Sequence, residues 1–169
     1  SKIANGECSN ASNCVTNEYS ITLKLNGTRQ LIYLLGGRIY SINSKVEITF
    51  LGLSFNDTTL DNTILDSEYF KTKFYIFDVI VNAGVDLRKD PSASLTKRLE
   101  LLTEIIDRVN KSAKIKSGNV TSSLHRTDFF TKKEYFFTSN LYSTAVTALK
   151  NAGESDIDGI IFNAVNGPL

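Results

Sequence analysis

Lys24 has the most specific chemical setting of any side chain in this sequence. It stands near the end of a short apolar run, two residues before Asn26-Gly27 and five before Arg29. In a strand, side chains alternate between faces, which sends Leu23 and Leu25 one way and Lys24, with Thr22, the other. On these residues alone Lys24 is either a solvated strand lysine or an amine nucleophile. The second role needs the neutral amine, which desolvation and neighbouring cations favour. Tyr75 and Phe77 share one face of a later apolar strand, so either can stack on a purine while Phe74 and Ile76 pack inward. Asp78 in that strand needs a partner, because an unpaired carboxylate among apolar residues is costly. A metal ion or a salt bridge to Arg88 or Arg98 would serve, and the salt bridge is the simpler expectation. Asp158, just before the apolar run Gly159 to Phe162, is either turn chemistry or a metal ligand. His125, beside Arg126 in a polar stretch, reads as a surface residue.

The elements that must hold these residues are legible as changes of period. Residues 1 to 18 are polar and aperiodic and read as an irregular lead-in, with the domain proper expected over 19 to 169. Alternation then predicts short strands around Ile21 to Leu25, Leu31 to Leu35, Arg38 to Asn43 and Val46 to Leu53, with Gly36-Gly37 as a hairpin turn. Asn56 to Asn62 is turn-rich, and Thr63 to Phe70 and Phe74 to Val81 read as two further strands. Leu95, Leu99, Leu102, Ile106 and Val109 recur at helical spacing, with Pro91 and Ser92 upstream as the start. Leu141, Ala145, Ala148 and Leu149 predict a second helix, with Ser139 as its cap and Gly153 as its end. Between the helices lie a Lys-rich connector, Lys111 to Lys116, and a strand at Glu134 to Phe137; a last strand is expected at Gly159 to Phe162. Strands first and helices later, without regular β-α alternation, indicate an α+β domain with mostly antiparallel sheets flanked by helices.

Composition narrows the classes of function. With 169 residues, 41% of them hydrophobic, the chain can bury one sizeable core. Nineteen Lys and Arg against 18 Asp and Glu give a net charge of +1, so any nucleic-acid contact must come from a local basic surface. No apolar run is long enough to span a bilayer, and a soluble protein with no membrane partner is expected. Cys8 and Cys14 could form a small disulfide loop, half a metal site or two free thiols; two thiols in a reducing compartment are the expectation. The five Asn-x-Ser/Thr triplets, at Asn10, Asn26, Asn56, Asn110 and Asn119, are expected by chance in a chain this rich in Asn, Ser and Thr. The absence of Met suggests a piece of something longer.

Lys24-Leu25-Asn26-Gly27-Thr28-Arg29 resembles the K-x-D-G-x-R signature of the covalent nucleotidyltransferases, the superfamily of mRNA-capping enzymes and ATP-dependent DNA and RNA ligases. Leu65-Asp66-Ser67-Glu68 resembles the D-G-E element of that superfamily, with Ser67 in place of glycine. Phe74 to Val81 is similar to its aromatic strand ending in Phe-Asp, and Asp156 to Phe162 to its acidic-Gly-apolar strand. These elements appear in family order from residue 24 to 162. The stretches Phe77 to Arg88 and Lys97 to Leu102, the run from Asp158, and Asn166-Gly167-Pro168 are more similar to capping enzymes of cytoplasmic DNA viruses and yeast linear plasmids than to ligases.

The resemblance implies an mRNA 5′-capping guanylyltransferase of a nucleotidyltransferase fold, working in the cytoplasm. Lys24 would attack the α-phosphate of GTP, and the 5′-diphosphate end of an RNA would then take the GMP. It further implies that Arg29 touches the ribose or phosphates, Glu68 the ribose or metal and Tyr75 or Phe77 the base. Asp158 with Glu68 would hold magnesium or manganese. Domains or subunits carrying triphosphatase and methyltransferase activities are the implied further partners. Asn26, at a nucleotide-binding position, stands where the family has aspartate, and the chain ends before the family's basic K-x-K strand and OB-fold. An adenylylating DNA or RNA ligase and a catalytically weak nucleotide-binding module of a larger complex are the alternatives.

Overall fold

The computed structural model describes residues 19–117, 120–123, 130–152 and 157–165. Residues 1–18 with Cys8 and Cys14, together with Asn119, His125, Arg126, Gly153, Asp156 and Asn166 to Pro168, lie outside the described residues. The described residues separate into two compact units, one of 19–26, 134–152 and 157–165, the other of 27–117, 120–123 and 130–133.

The first unit is built on a three-stranded antiparallel sheet in the order β11-β1-β12, from β1 (Tyr19–Leu25), β11 (Phe136–Phe137) and β12 (Ile157–Ala164). Helix α2 (Leu141–Asn151) covers it, burying Ile21, Leu141 and Ala145 with Tyr19, Phe136 and Ile160 packed around them. The α2 cap is Asn140 rather than Ser139: its side chain accepts from the amide of Ser143, three residues into the helix, which Ser139 is one residue too early to reach. Leu149, expected on the apolar face, is 38% exposed, because so small a sheet gives the last turn of α2 little to cover.

The second unit holds β2 (Thr28–Leu35), β3 (Arg38–Ile42), β4 (Ile48–Ser54), β5 (Thr63–Phe70), β6 (Lys73–Asn82), β7 (Val85–Asp86), β8 (Lys114–Ser117), β9 (Val120–Ser123) and β10 (Phe130–Lys132). Its sheet runs β10-β6-β5-β2-β3-β4-β8-β9, with β7 also on β6. The β10–β6 pair is parallel, and the other pairs described are antiparallel. Gly36 and Gly37 turn the β2–β3 hairpin at φ of 57° and 70°, the left-handed values that a two-residue turn requires.

Helix α1 (Leu95–Ser112) lies on one face of this sheet. It buries Leu95, Leu99, Leu102, Ile105, Ile106 and Val109, where the apolar spacing predicted a helix face. Ile106 and Val109 converge with Ile32, Leu34, Leu65 and Phe130. Each aliphatic side chain fully removed from water there contributes roughly 1.5–3 kcal/mol. The helix starts later than Pro91-Ser92 suggested: Ser94 is the N-cap, and Asp90 holds the preceding turn by accepting from the amide of Ser92.

Three other expectations change. The Lys-rich connector is the last turn of α1 followed by strand β8, which pairs with β4 and β9, so tertiary pairing overrides the loop-like composition. The strand expected from Glu134 shrinks to Phe136–Phe137, since pairing with β1 reaches only Ser20 and Ile21. Strands β7, β9 and β10 were not anticipated at all.

Candidate functional site

In the first unit, Lys24 and Asp158 meet. The register runs Lys24↔Gly159 and then Leu25↔Ile157, so β12 carries one extra residue, Asp158, opposite this step. Such a bulge re-aims a side chain. Here it brings Asp158 Oδ2 to 2.6 Å from Lys24 Nζ, joining residues 134 apart in sequence. Gly159 adopts φ 147°, and although a Cβ there would meet nothing within 4 Å, the backbone conformation itself favours glycine. Both side chains are about half exposed, at 50% and 47%. Lys24 therefore has a carboxylate for a neighbour and solvent around it, in place of the burial and neighbouring cation expected for it. Thr22, on the same strand, donates to the carbonyl of Glu134 at 2.6 Å. A cavity of about 560 Å³ in this unit is lined by Leu23, Glu134, Phe136, Ser143, Thr147 and Asn151 among others, and Lys24 and Asp158 are not part of its lining.

In the second unit, strand register sets Arg29, Glu68 and Tyr75 in one row across β2, β5 and β6. Arg29 makes a two-point pair with Asp66, Nε to Oδ1 at 2.9 Å and Nη2 to Oδ2 at 2.5 Å. The hydrogen bonds to Asp66, and then its charge, raise the Arg29 pKa above its ordinary value. Asp66 is buried while Arg29 remains 71% exposed, so the carboxylate anchors a guanidinium that still presents itself to solvent. Alternation along Leu65 to Glu68 puts Asp66 on the face of Glu68, which is the signal by which Asp66 could have been found from sequence.

Glu68 is enclosed by the motif itself. Its Oε1 accepts from the amide of Gly27 at 3.2 Å, and its Oε2 lies 3.5 Å from Lys133 Nζ. A Cβ at position 27 would come within 2.7 Å of Glu68 Cγ and 2.8 Å of the Tyr69 carbonyl oxygen, so the glycine is dictated by the close approach of β5. Lys133 is 6% exposed, and its Nζ lies 5.4 Å from the centre of the Phe77 ring. Sequence gave no sign of Lys133, because a lysine within Thr131 to Glu134 reads as solvated. It is buried because β10 docks beside β6 and the Lys133 amide donates to Ile76 O at 2.7 Å.

Tyr75 is half-buried with its ring 6.4 Å from that of Phe70. Phe77 sits at a bulge, opposite the step between Ser67↔Ile76 and Asp66↔Asp78. Asp78 resolves as the salt-bridge partner of Arg98, which holds both of its oxygens at 2.8 and 3.2 Å. Arg88 pairs with Asp86 instead, and its hydrogen bond holds that carboxyl down at about 2. Asn26 is exposed at the bend after β1.

Comparison with known proteins identifies the lineage of these elements. The family model for the mRNA capping enzyme, catalytic domain, matches residues 8–169. A probable mRNA-capping enzyme of Acanthamoeba polyphaga mimivirus is 33% identical over 100 residues, covering 57% of this chain and 8% of that protein. An mRNA-capping enzyme of Caenorhabditis elegans is 27% identical over 164 residues, covering 85% of this chain and 25% of that protein. The chain thus spans a quarter or less of the length of these relatives. A mycobacterial DNA ligase D complexed with ATP and MES shares the fold, with a TM-score of 0.57 at 12% identity over 89% of this chain and 49% of that one. On the match of its motifs and of nearly its whole length, this chain belongs to the mRNA capping enzyme catalytic-domain family.

Proposed function

We propose that this chain is the nucleotidyltransferase core, over residues 19–169, of an mRNA 5′-capping guanylyltransferase in which Lys24 carries GMP. The observation that carries the reading is the Lys24–Asp158 pair at 2.6 Å, which joins two separate motifs of the family resemblance through a β-bulge. In the first step Lys24, having given its ammonium proton to solvent, attacks the α-phosphorus of GTP through Nζ; a P–N bond forms, the bond from the α-phosphorus to the bridging oxygen breaks, pyrophosphate leaves and the nitrogen passes its second proton to solvent. In the second, a terminal phosphate oxygen of a 5′-diphosphate RNA attacks that phosphorus, the P–N bond breaks and Lys24 recovers its proton. The hydrogen bond to Asp158 Oδ2 orients Nζ before the first step.

Arg29, held by Asp66 yet largely exposed, is suited to bind ribose or phosphate oxygens. Tyr75, and Phe77 at its bulge, are the aromatic surfaces for the base. Asn26 supplies an amide, and no charge, to the same motif. Magnesium or manganese, when bound, would neutralise charge on the phosphates. Asp158 fits such a cation best, since its carboxylate is a hard oxygen donor that stays half exposed. Glu68 fits less well because both oxygens already face donors of the protein, and it serves better to hold Gly27 and Lys133 in place. The proposed setting is cytoplasmic, with domains for triphosphatase and methyltransferase chemistry as partners; no helix among the described residues is long and apolar enough to cross a membrane.

Incubation with α-labelled GTP and a divalent cation should leave label on the protein through denaturing electrophoresis, and Lys24→Ala should abolish it. Label from ATP in preference to GTP would move the chain to adenylylating chemistry. Reversible GTP binding with no adduct would make it a binding module.

A further inference from the structure

The face of the second unit's sheet that carries Arg29, Glu68 and Tyr75 does not end with them. Arg29, Leu31 and Tyr33 share that face of β2 by the two-residue period. Register then aligns Tyr33 with Tyr40 of β3, and Tyr40 with Phe50 of β4, so that three aromatic side chains form a row across three strands. The Tyr40 and Phe50 rings are 5.6 Å apart at a tilt of 52°. Arg38 reaches over Phe50, its guanidinium carbon 5.9 Å from the ring centre. This is a surface in the open: Phe50 is 43% exposed, Ile48 beside it is 62% exposed, and Arg38 makes no ion pair among the described residues.

We infer that Tyr33, Tyr40, Phe50 and Arg38 form a stacking platform for the first nucleotides of the acceptor RNA, an inference that rests on the guanylyltransferase reading. Sheet-borne aromatics with an adjacent arginine are what unpaired bases need, since every base has a π-face and the cation draws the backbone phosphates. A nucleotide strand uses both the plane of Arg38 and its charge. The platform is also continuous with the proposed nucleotide residues. From Arg29 to Tyr33 is four residues of extended strand, roughly 13 Å, a reach that a short oligonucleotide spans. The chain's net charge of +1 provides no long-range attraction, which leaves local stacking as the means of holding RNA.

The test separates the two steps. Phe50→Ala and Arg38→Ala, made singly in the full-length protein, should leave formation of the lysyl-GMP adduct within about twofold, because neither residue belongs to the proposed nucleotide set. Affinity for a fluorescent 5′-diphosphate oligoribonucleotide, read by anisotropy, should fall about tenfold in Phe50→Ala, the loss expected for one base stack, and Phe50→Trp should restore it. Transfer of GMP to a nucleoside diphosphate, which carries no downstream bases to stack, should be unchanged. Unaltered RNA affinity in Phe50→Ala and Arg38→Ala overturns the platform, and so does an RNA-independent change of oligomeric state, which would mark the surface as a protein interface. Absence of any adduct in the unmutated protein would overturn the guanylyltransferase reading alone, while the anisotropy arm would still decide whether RNA binds here.

Discussion

Gly27 shows how a motif residue with no side chain can be the most constrained position in its segment. Its amide donates to Glu68 Oε1, and β5 passes so close that a methyl group has no room. One of the two clashing atoms is backbone, which cannot rotate away as a side chain can. Gly27→Ala should therefore force β2 and β5 apart, with a loss of about 1–3 kcal/mol in urea unfolding, the usual range for overpacking. The same change should weaken labelling by GTP more than the stability loss explains, because the hydrogen bond that fixes Glu68 goes with it. An unchanged midpoint would show that β5 can yield, and that the glycine is there for another reason.

At the scale of elements, α1 is tied to the sheet by one buried ion pair as well as by its apolar face. Arg98 and Asp78 expose only 5% and 12% of their side chains, and Arg98 also donates to the carbonyl of Ala93 at 2.5 Å. Truncating the arginine leaves a carboxylate buried on β6 with no cation to match it. Arg98→Ala should cost about 3–5 kcal/mol, measured by denaturant unfolding, as for other broken buried pairs. Replacing both residues together with apolar ones of similar volume should recover much of that, since a buried ion pair is worth far less as a unit than either charge is left alone. The contrast with Arg29 is informative. Its partner Asp66 is buried still more deeply than Asp78, but Arg29 is mostly in solvent, so that pair holds a cation in position more than it holds the fold together.

Across the whole molecule, the first unit depends on the two ends of the described chain meeting. Strand β1 pairs with β12 from Tyr19↔Ala164 to Leu25↔Ile157, whereas β11 offers it two residues. Contacts this distant in sequence form late, because the loop between them must close before they contribute. A chain shortened to end at Asn151 should keep the second unit's strands and α1, visible in circular dichroism, and lose all labelling by GTP, since Lys24 would have neither its sheet partner nor Asp158. Retention of labelling by such a piece would show that Lys24 needs no support from β12.

Local periods and motif chemistry were legible in the residues alone. Alternation placed β1 to β6, helical spacing placed the buried face of α1, and the residues around Lys24, Glu68, Phe77 and Asp158 carried the family resemblance, because these patterns are set within a few residues of each other. The partner of Asp78 was narrowed to two arginines by the same logic, since a buried carboxylate needs a cation. Folding in three dimensions was needed to show which arginine it was, that Asp158 swings onto Lys24 through a bulge, that Lys133 is buried against Glu68, and that part of a Lys-rich stretch becomes strand β8. The first depends on how α1 packs on β6, and the others on backbone pairing between segments apart in the chain, where hydrogen bonding and close approach override the preference of any single residue.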